Sequence, residues 1–328
     1  MTINEIAQLA GVSRATVSRY LNDGYVSEEK REKIRKVVEE TGYQPSAQAQ
    51  MLRTKKTRLV GVIIPKINSD TVSRMVAGIS DVLAKKGYQL LLANTNNDVE
   101  EELKYLQVFK DNQVDGIIFM ATIFTGRHKK ILKDYKVPVV ILGQQLEGYS
   151  SVSHDDFHAA FKVTELLLKN CQVPGFIGVT LKDEAAGANR KKGFEAALKK
   201  SRKTCLPQAM AEAKFSIESG YEKMREILEA VPQVDTVFCA TDNIAIGAMK
   251  YLKDQGKQIP QEVQLAGIGD TPLADLVTPS LTTVHFYYKT SGTEAAQMLT
   301  ELLEHEDATV CKELKMGYKI VEKDSTRK

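Results

Sequence analysis

Between Val12 and Ser27 the chain reads VSRATVSRYLNDGYVS. Ser13 is a good helix N-cap, and Val17 and Leu21, four positions apart, share one apolar face. That geometry leaves Arg14, Ala15, Ser18 and Arg19 on the other side. These residue types suit a nucleic-acid groove. Arginine pairs bidentately with guanine, small residues let a helix sit deep or touch a thymine methyl, and hydroxyls reach phosphates or bases. Taken alone, the same stretch also fits a solvated helix face carrying two arginines.

Other chemistry-bearing groups are scattered. The run SHDD brings His154, Asp155 and Asp156 together. Neighbours in a strand point to opposite faces, which argues against an acid–base pair there. Cys171, Cys205, Cys239 and Cys311 are far apart, with no C-x-x-C and no histidine at ligand spacing, so no metal is expected and reduced thiols fit. GIGDTP lacks the third glycine of a dinucleotide loop, and no G-x-x-x-x-G-K-[ST] occurs. The expectation is a chain that is not an enzyme, with no catalytic residue and no cofactor. In CATDNIAIG, Thr241 and Asp242 follow a strand pattern and open a helix; either residue is a cap or meets ligand hydroxyls.

The elements that must position these groups fall into two textures. The first 58 residues hold eleven Lys/Arg against seven Asp/Glu, although the whole 328-residue chain is only +3. A basic head on a near-neutral body suggests that the head meets a polyanion. Its pattern predicts three short helices. Thr2 and Glu5 form a capping box, Gly11 breaks the first helix, Ser13 caps the second, Ser27 caps the third and Gly42 ends it. Residues 45–58, PSAQAQMLRTKKTR, bury little and read as a linker. From Leu59 onward, apolar runs such as LVGVII, DGIIFM, VPVVIL and DTVFCA alternate with amphipathic helical stretches. That alternation implies parallel sheets covered on both faces. The number of units implies two α/β lobes with a ligand crevice at the strand C-termini. No apolar run approaches the ~20 residues of a membrane span. The opening MTINEIAQLAG lacks a basic segment followed by an apolar one, so no secretory leader and a cytoplasmic location are expected.

INEIAQLAGVSRATVSRYLN together with GYQPSAQAQMLR resembles the signature of the lactose-repressor (LacI/GalR) family of bacterial transcription factors. LVGVIIP, VDGIIFM, ATDNIAIGAMKYL and SLTTV extend the resemblance over almost the whole chain. It implies an α/β fold: an all-α helix-turn-helix headpiece (1–45), a hinge helix or linker (46–58), and a periplasmic-binding-protein-like effector domain (59–328). The N-lobe would comprise about 59–157 plus 287–315, and the C-lobe about 158–286 plus 316–328. The resemblance places Arg14, Ala15 and Arg19 at base-reading positions, with Thr2, Ser13, Thr16, Ser18 and Asn22 nearby on the DNA. Ala49 would lie on the minor-groove face of the hinge helix, and Leu52 would wedge into the groove. Half-site recognition implies a homodimer on double-stranded operator DNA.

The resemblance also carries effector positions. Arg190 matches a residue that grips sugar oxygens, and Asp155 and Asp156 match an acidic pair at the lobe crossover. Phe215 matches a position that stacks on a sugar face, with core packing as the alternative. Thr241, Asp242, Asp270 and Phe286 complete the set. Lys66, with Ser69 and Arg74 close by, stands where a phosphate would be met, or is a plain surface lysine. Gly269 replaces an aspartate and Phe286 a glutamine of some relatives, which argues against a plain galactoside. The expected function is a repressor of a carbohydrate-utilisation operon, released by a small sugar or sugar phosphate of sucrose/fructose type. The alternatives are a trehalose-6-phosphate-responsive repressor and a catabolite-control regulator with a phosphorylated carrier protein as corepressor. A periplasmic sugar-binding protein would share the lobes but lack the DNA head.

Overall fold

The computed structural model describes residues 1–43, 56–120, 122–305 and 310–328. Ala49, Leu52 and the expected hinge segment up to residue 55 lie outside them. Met1–Arg58 form one compact unit and Leu59–Lys328 another.

The first unit holds α1 (Ile3–Leu9), α2 (Arg14–Tyr20) and α3 (Glu28–Thr41). Thr2 and Glu5 close the capping box on α1, and Ser13 accepts from the Thr16 amide at the start of α2. Gly42 ends α3 at φ 61°, a left-handed conformation that costs a glycine least. Ser27 precedes α3 but makes no side-chain capping bond, unlike the expectation. Ile6, Val17 and Ile34 are fully buried, one from each helix, and pin the three together.

The second unit contains β1 (Leu59–Ile64), α4 (Asp70–Lys85), β2 (Gln89–Asn94), α5 (Val99–Asp111), β3 (Gly116–Phe119), α6 (Gly126–Lys133), β4 (Val139–Leu142) and β5 (Ser150–His154). Then come α7 (Asp156–Leu168), β6 (Pro174–Gly178), a π-helical segment (Glu184–Asn189), α8 (Arg190–Lys200), β7 (Met210–Glu212), α9 (Ile217–Ala230), β8 (Thr236–Cys239), α10 (Asp242–Asp254) and β9 (Gln264–Ala266). The chain finishes with α11 (Pro272–Leu276), β10 (Thr283–Phe286), α12 (Tyr288–Glu304), β11 (Glu313–Met316) and β12 (Tyr318–Val321).

Two parallel sheets form, in the orders β11-β5-β4-β3-β1-β2 and β7-β6-β8-β9. The run LTTVHF behaves differently: only Thr283–Phe286 is a strand, and it pairs antiparallel with β12 outside both sheets. Strands β5, β7, β11 and β12 escaped the apolar-run pattern because they are short or polar, as SSVSH and MAE show. In each sheet the strand order reverses at one place, beside β1 in the first and beside β6 in the second. Loops leaving the strand C-termini there diverge and open a crevice.

Helices α4 and α12 meet through glycine. A Cβ on Gly78 would lie 2.0 Å from the Lys289 carbonyl, and one on Gly292 2.0 Å from the Met75 carbonyl. The obstacle in both cases is backbone, so it cannot swing aside. Gly78→Ala is expected to force the helices apart and to cost about 1–3 kcal/mol despite the better helix propensity of alanine, measured as a lower urea midpoint.

Candidate functional site

Two sites are built by the chain, one in each unit. On α2, Val17 faces the core, and Arg14, Ala15 and Arg19 are exposed on the remaining faces. Three of the five basic residues of α3 are engaged within that helix: Lys33 with Glu29, Arg35 with Glu32 and Glu39, and Lys36 with Glu40; Arg31 reaches the Gly24 carbonyl and the Tyr20 ring. Among the described residues Arg14 and Arg19 have no such partner. Two guanidiniums on one short helix therefore keep their donors open. Ser13 and Thr16 share a 2.9 Å hydroxyl–hydroxyl hydrogen bond, and Thr2 is held by Glu5. Asn22 donates its amide to the Ser18 carbonyl. These four are local braces as they stand.

The second site is a cavity of about 210 Å³ between the two sheets. Loops after β1, β3 and β4 supply one wall, with Lys66, Ser69, Thr122 and Gln144; loops after β6 and β8 supply the other, with Asp183, Thr241 and Asp242. Asp156, Arg190, Phe215 and His154 complete it over apolar Met75, Met120 and Ile268.

Arg190, the first residue of α8, is 7 % exposed. Its Nε donates to Asp156 Oδ1 at 2.8 Å, its Nη2 lies 2.7 Å from the same oxygen, and its Nη1 donates to the Ala240 carbonyl. The guanidinium rests over the Phe286 ring, 5.7 Å from the centroid. Burial pulls the Arg190 pKa down, but Asp156, Tyr288 and Asp183 together outweigh it and raise the pKa above its ordinary value. Asp156 is the first residue of α7 and Asp155 its N-cap, so the two are not strand neighbours. Asp155 turns away and accepts from His158.

Thr241 caps α10 through the Ile244 amide, while Asp242, next along, accepts from the Thr271 amide at 2.9 Å and from the hydroxyls of Thr271 and Thr283. Burial raises its pKa, and these bonds oppose the rise. The packing around it explains the glycine at 269. Gly269 has φ 147°, and a Cβ there would sit 3.3 Å from Asp242 Oδ2. A second carboxylate would face the first. Asp270 points elsewhere, to His285 and Lys323, and its carbonyl accepts from Arg74.

The cavity thus brings together Lys66, Ser69, Asp156, Arg190, Phe215, Thr241 and Asp242. Asp155, Asp270 and Phe286 are not in its wall; Phe286 is fully buried beneath Arg190. Gln144, Asp183, Thr122, Asn97 and Asn243 line it and were missed. Each lies within about five residues of a parallel strand's C-terminus, the position that the crevice rule marks. Asp183 is pushed up to about 6 by burial, against the Ala186 amide and Arg190. His154 is pushed down to about 4 by burial against Phe286 and Tyr288. Its Nε2 has no hydrogen-bond partner among the described residues, so no His–carboxylate relay exists there. No cluster of potential metal ligands occurs among the described residues, and none of their helices is long and apolar enough to cross a membrane.

Residues 2–46 match the profile of bacterial regulatory proteins, lacI family, and residues 163–326 that of a periplasmic binding protein-like domain. The chain is 34 % identical over 305 residues to the sucrose operon repressor of Staphylococcus xylosus, covering 93 % of this chain and 94 % of the relative. The chain belongs to the lacI family. It is a helix-turn-helix transcriptional regulator, not an enzyme. Catabolite control protein A of Priestia megaterium is 33 % identical, with 93 % of each chain covered. Among solved structures, the transcriptional regulator CelR–cellobiose complex superposes with a TM-score of 0.77 at 26 % identity, over 99 % of both chains. The lac repressor dimer bound to operator gives 0.90 at 22 % identity over 100 % of this chain and 99 % of that one, which shows the shared fold.

Proposed function

We propose that this protein represses a carbohydrate-utilisation operon. It binds a palindromic operator as a homodimer through α2, and a small sugar of sucrose/fructose type releases it. The observation that carries this reading is the cavity wall. A buried, doubly held guanidinium, side-chain amides from Asn97, Gln144 and Asn243, and a half-buried Phe215 over an apolar floor suit a polyhydroxylated ring. Such rings need directional donors on their edges and apolar contact on their faces. The similarity to the sucrose operon repressor supports the choice of sugar. Ligand would act by population shift, favouring a lobe arrangement that binds operator poorly.

The test is fluorescence anisotropy on a palindromic duplex with a central CG step at roughly 0.1–0.2 M salt, because affinity falls steeply with salt. Sucrose, fructose, trehalose and their phosphates are added singly. Release by sucrose or fructose is the expected result. Binding indifferent to every sugar would favour the second reading, a catabolite-control regulator with a phosphorylated carrier protein as corepressor, which the similarity to catabolite control protein A supports. Release by trehalose 6-phosphate alone would favour the third.

Arg14→Ala or Arg19→Ala is expected to weaken operator binding by about 1–3 kcal/mol and to relax base preference at one half-site position. Affinity for a scrambled duplex should fall much less. Equal losses on both duplexes would make the residue a phosphate contact instead.

A further inference from the structure

Asp183 stands where two spaces meet. The central cavity continues past Lys66, Thr122, Asp183 and Phe215 into an outer one that also takes in Glu212 and Lys214. The Asp183 side chain is 4 % exposed. By distance and angle two hydrogen bonds arrive, both at Oδ1: the Ala186 amide donates at 2.9 Å, capping the π-helical segment, and Gln144 Nε2 donates at 3.4 Å from across the crevice, while the Ala185 amide adds a weaker pull on the carboxylate. That leaves Oδ2 without one among the described residues. Of the other charges in the central cavity, all but Lys66 are already engaged. Arg190 is held by Asp156 and the Ala240 carbonyl, Asp70 by Arg74, and Asp242 by two threonines. Lys66 is within the electrostatic reach of Glu218.

Together Lys66 and Arg190 face Asp70, Asp156, Asp183 and Asp242, so acids outnumber bases four to two. A carboxylate oxygen with an open lone pair accepts strongly from a hydroxyl. The same charge in a poorly solvated cavity repels a phosphoryl group. We propose that Asp183 is a specificity-determining residue that selects an uncharged polyhydroxy effector over its phosphate ester, its free Oδ2 accepting from a ligand hydroxyl at the junction of the two spaces. This rests on the reading of the crevice as a sugar-effector site.

The test is calorimetric titration of the full-length protein, its Asp183→Asn variant and its Asp183→Ser variant with sucrose, fructose, sucrose 6-phosphate and fructose 6-phosphate. Asparagine and serine both retain a capping acceptor, and thermal melting checks the fold. The unaltered protein is expected to bind one neutral sugar at least about tenfold more tightly than its ester. Both variants should lose about 10- to 100-fold in affinity for that sugar, with the sugar-to-ester ratio collapsing toward one. A merely structural role would lower both affinities and leave the ratio unmoved. An unchanged ratio, or an unaltered protein that prefers the ester, overturns the proposal. Unfolding of both variants would assign Asp183 to capping and also overturn it. If the unaltered protein binds none of the four compounds, the sugar-effector reading itself falls, and the proposal with it.

Discussion

Replacing Arg190 by alanine is expected to destabilise the Leu59–Lys328 unit by about 3–5 kcal/mol, the usual cost of removing one partner of a buried ion pair. The resemblance marked it as a residue that grips the effector. The structure makes it a structural member as well. Asp156 is 4 % exposed and would be left charged without its counter-ion. The Ala240 carbonyl would lose its guanidinium donor, and the Phe286 face its cation. Arg190→Lys should recover only part of the loss, because an ammonium cannot fork between Asp156 and a carbonyl. Urea titration gives the stability, and effector titration of the still-folded fraction gives the binding. A variant as stable as the unaltered protein would mean that the Arg190–Asp156 pair contributes only to ligand binding.

The second large effect is a pair of opposing pH dependences. His154 has a folded pKa of about 4, below the ~6.5 of a free imidazole. Its contribution is therefore present above pH 6.5 and is lost as pH falls toward 4. The shift is worth about 3 kcal/mol at 1.36 kcal/mol per unit. Asp183 runs the other way. Its folded pKa of about 6 lies above the ordinary aspartate value of 3.8, so protonation favours the folded state, and stability is gained as pH falls from 6 toward 4, again by about 3 kcal/mol. The two nearly cancel in the unaltered protein. His154→Phe, which fits beside Phe286 and Tyr288, should gain stability relative to the unaltered protein on acidification from pH 7 to 4. Asp183→Asn should lose it. Thermal melts of the three proteins across that range measure the differences, in which the remaining carboxylates largely drop out. Parallel curves for all three would show that neither group carries a shifted pKa.

Much of the molecule was legible in its sequence because the relevant physics is local. The capping box Thr2–Glu5, the Ser13 cap and the Val17/Leu21 face are decided within a few residues of each other, so α1 and α2 follow from spacing alone. The freedom of Arg14 and Arg19 follows too, since the acids of the head cluster on α3, where i,i+3 and i,i+4 geometry engages that helix's own bases. Apolar runs such as LVGVII and DTVFCA announce buried parallel strands because both of their faces must be covered.

The crevice cavity was decided by the tertiary structure. Asp183 and Gln144 are 39 positions apart and carry no motif, yet the lobes bring them within 3.4 Å. Asp270 and Phe286 read as ligand contacts by position. The fold instead gives Asp270 to His285 and Lys323 and buries Phe286 under Arg190. By itself the sequence determined the capped helix α2 with its exposed arginines and the alternating α/β body, which rest on short-range spacing, and its motifs carried the resemblance to the family. Which carboxylates are spent on internal partners and which keep an open oxygen depends on long-range packing, because burial and pairing are properties of neighbours that the chain brings together only when it folds.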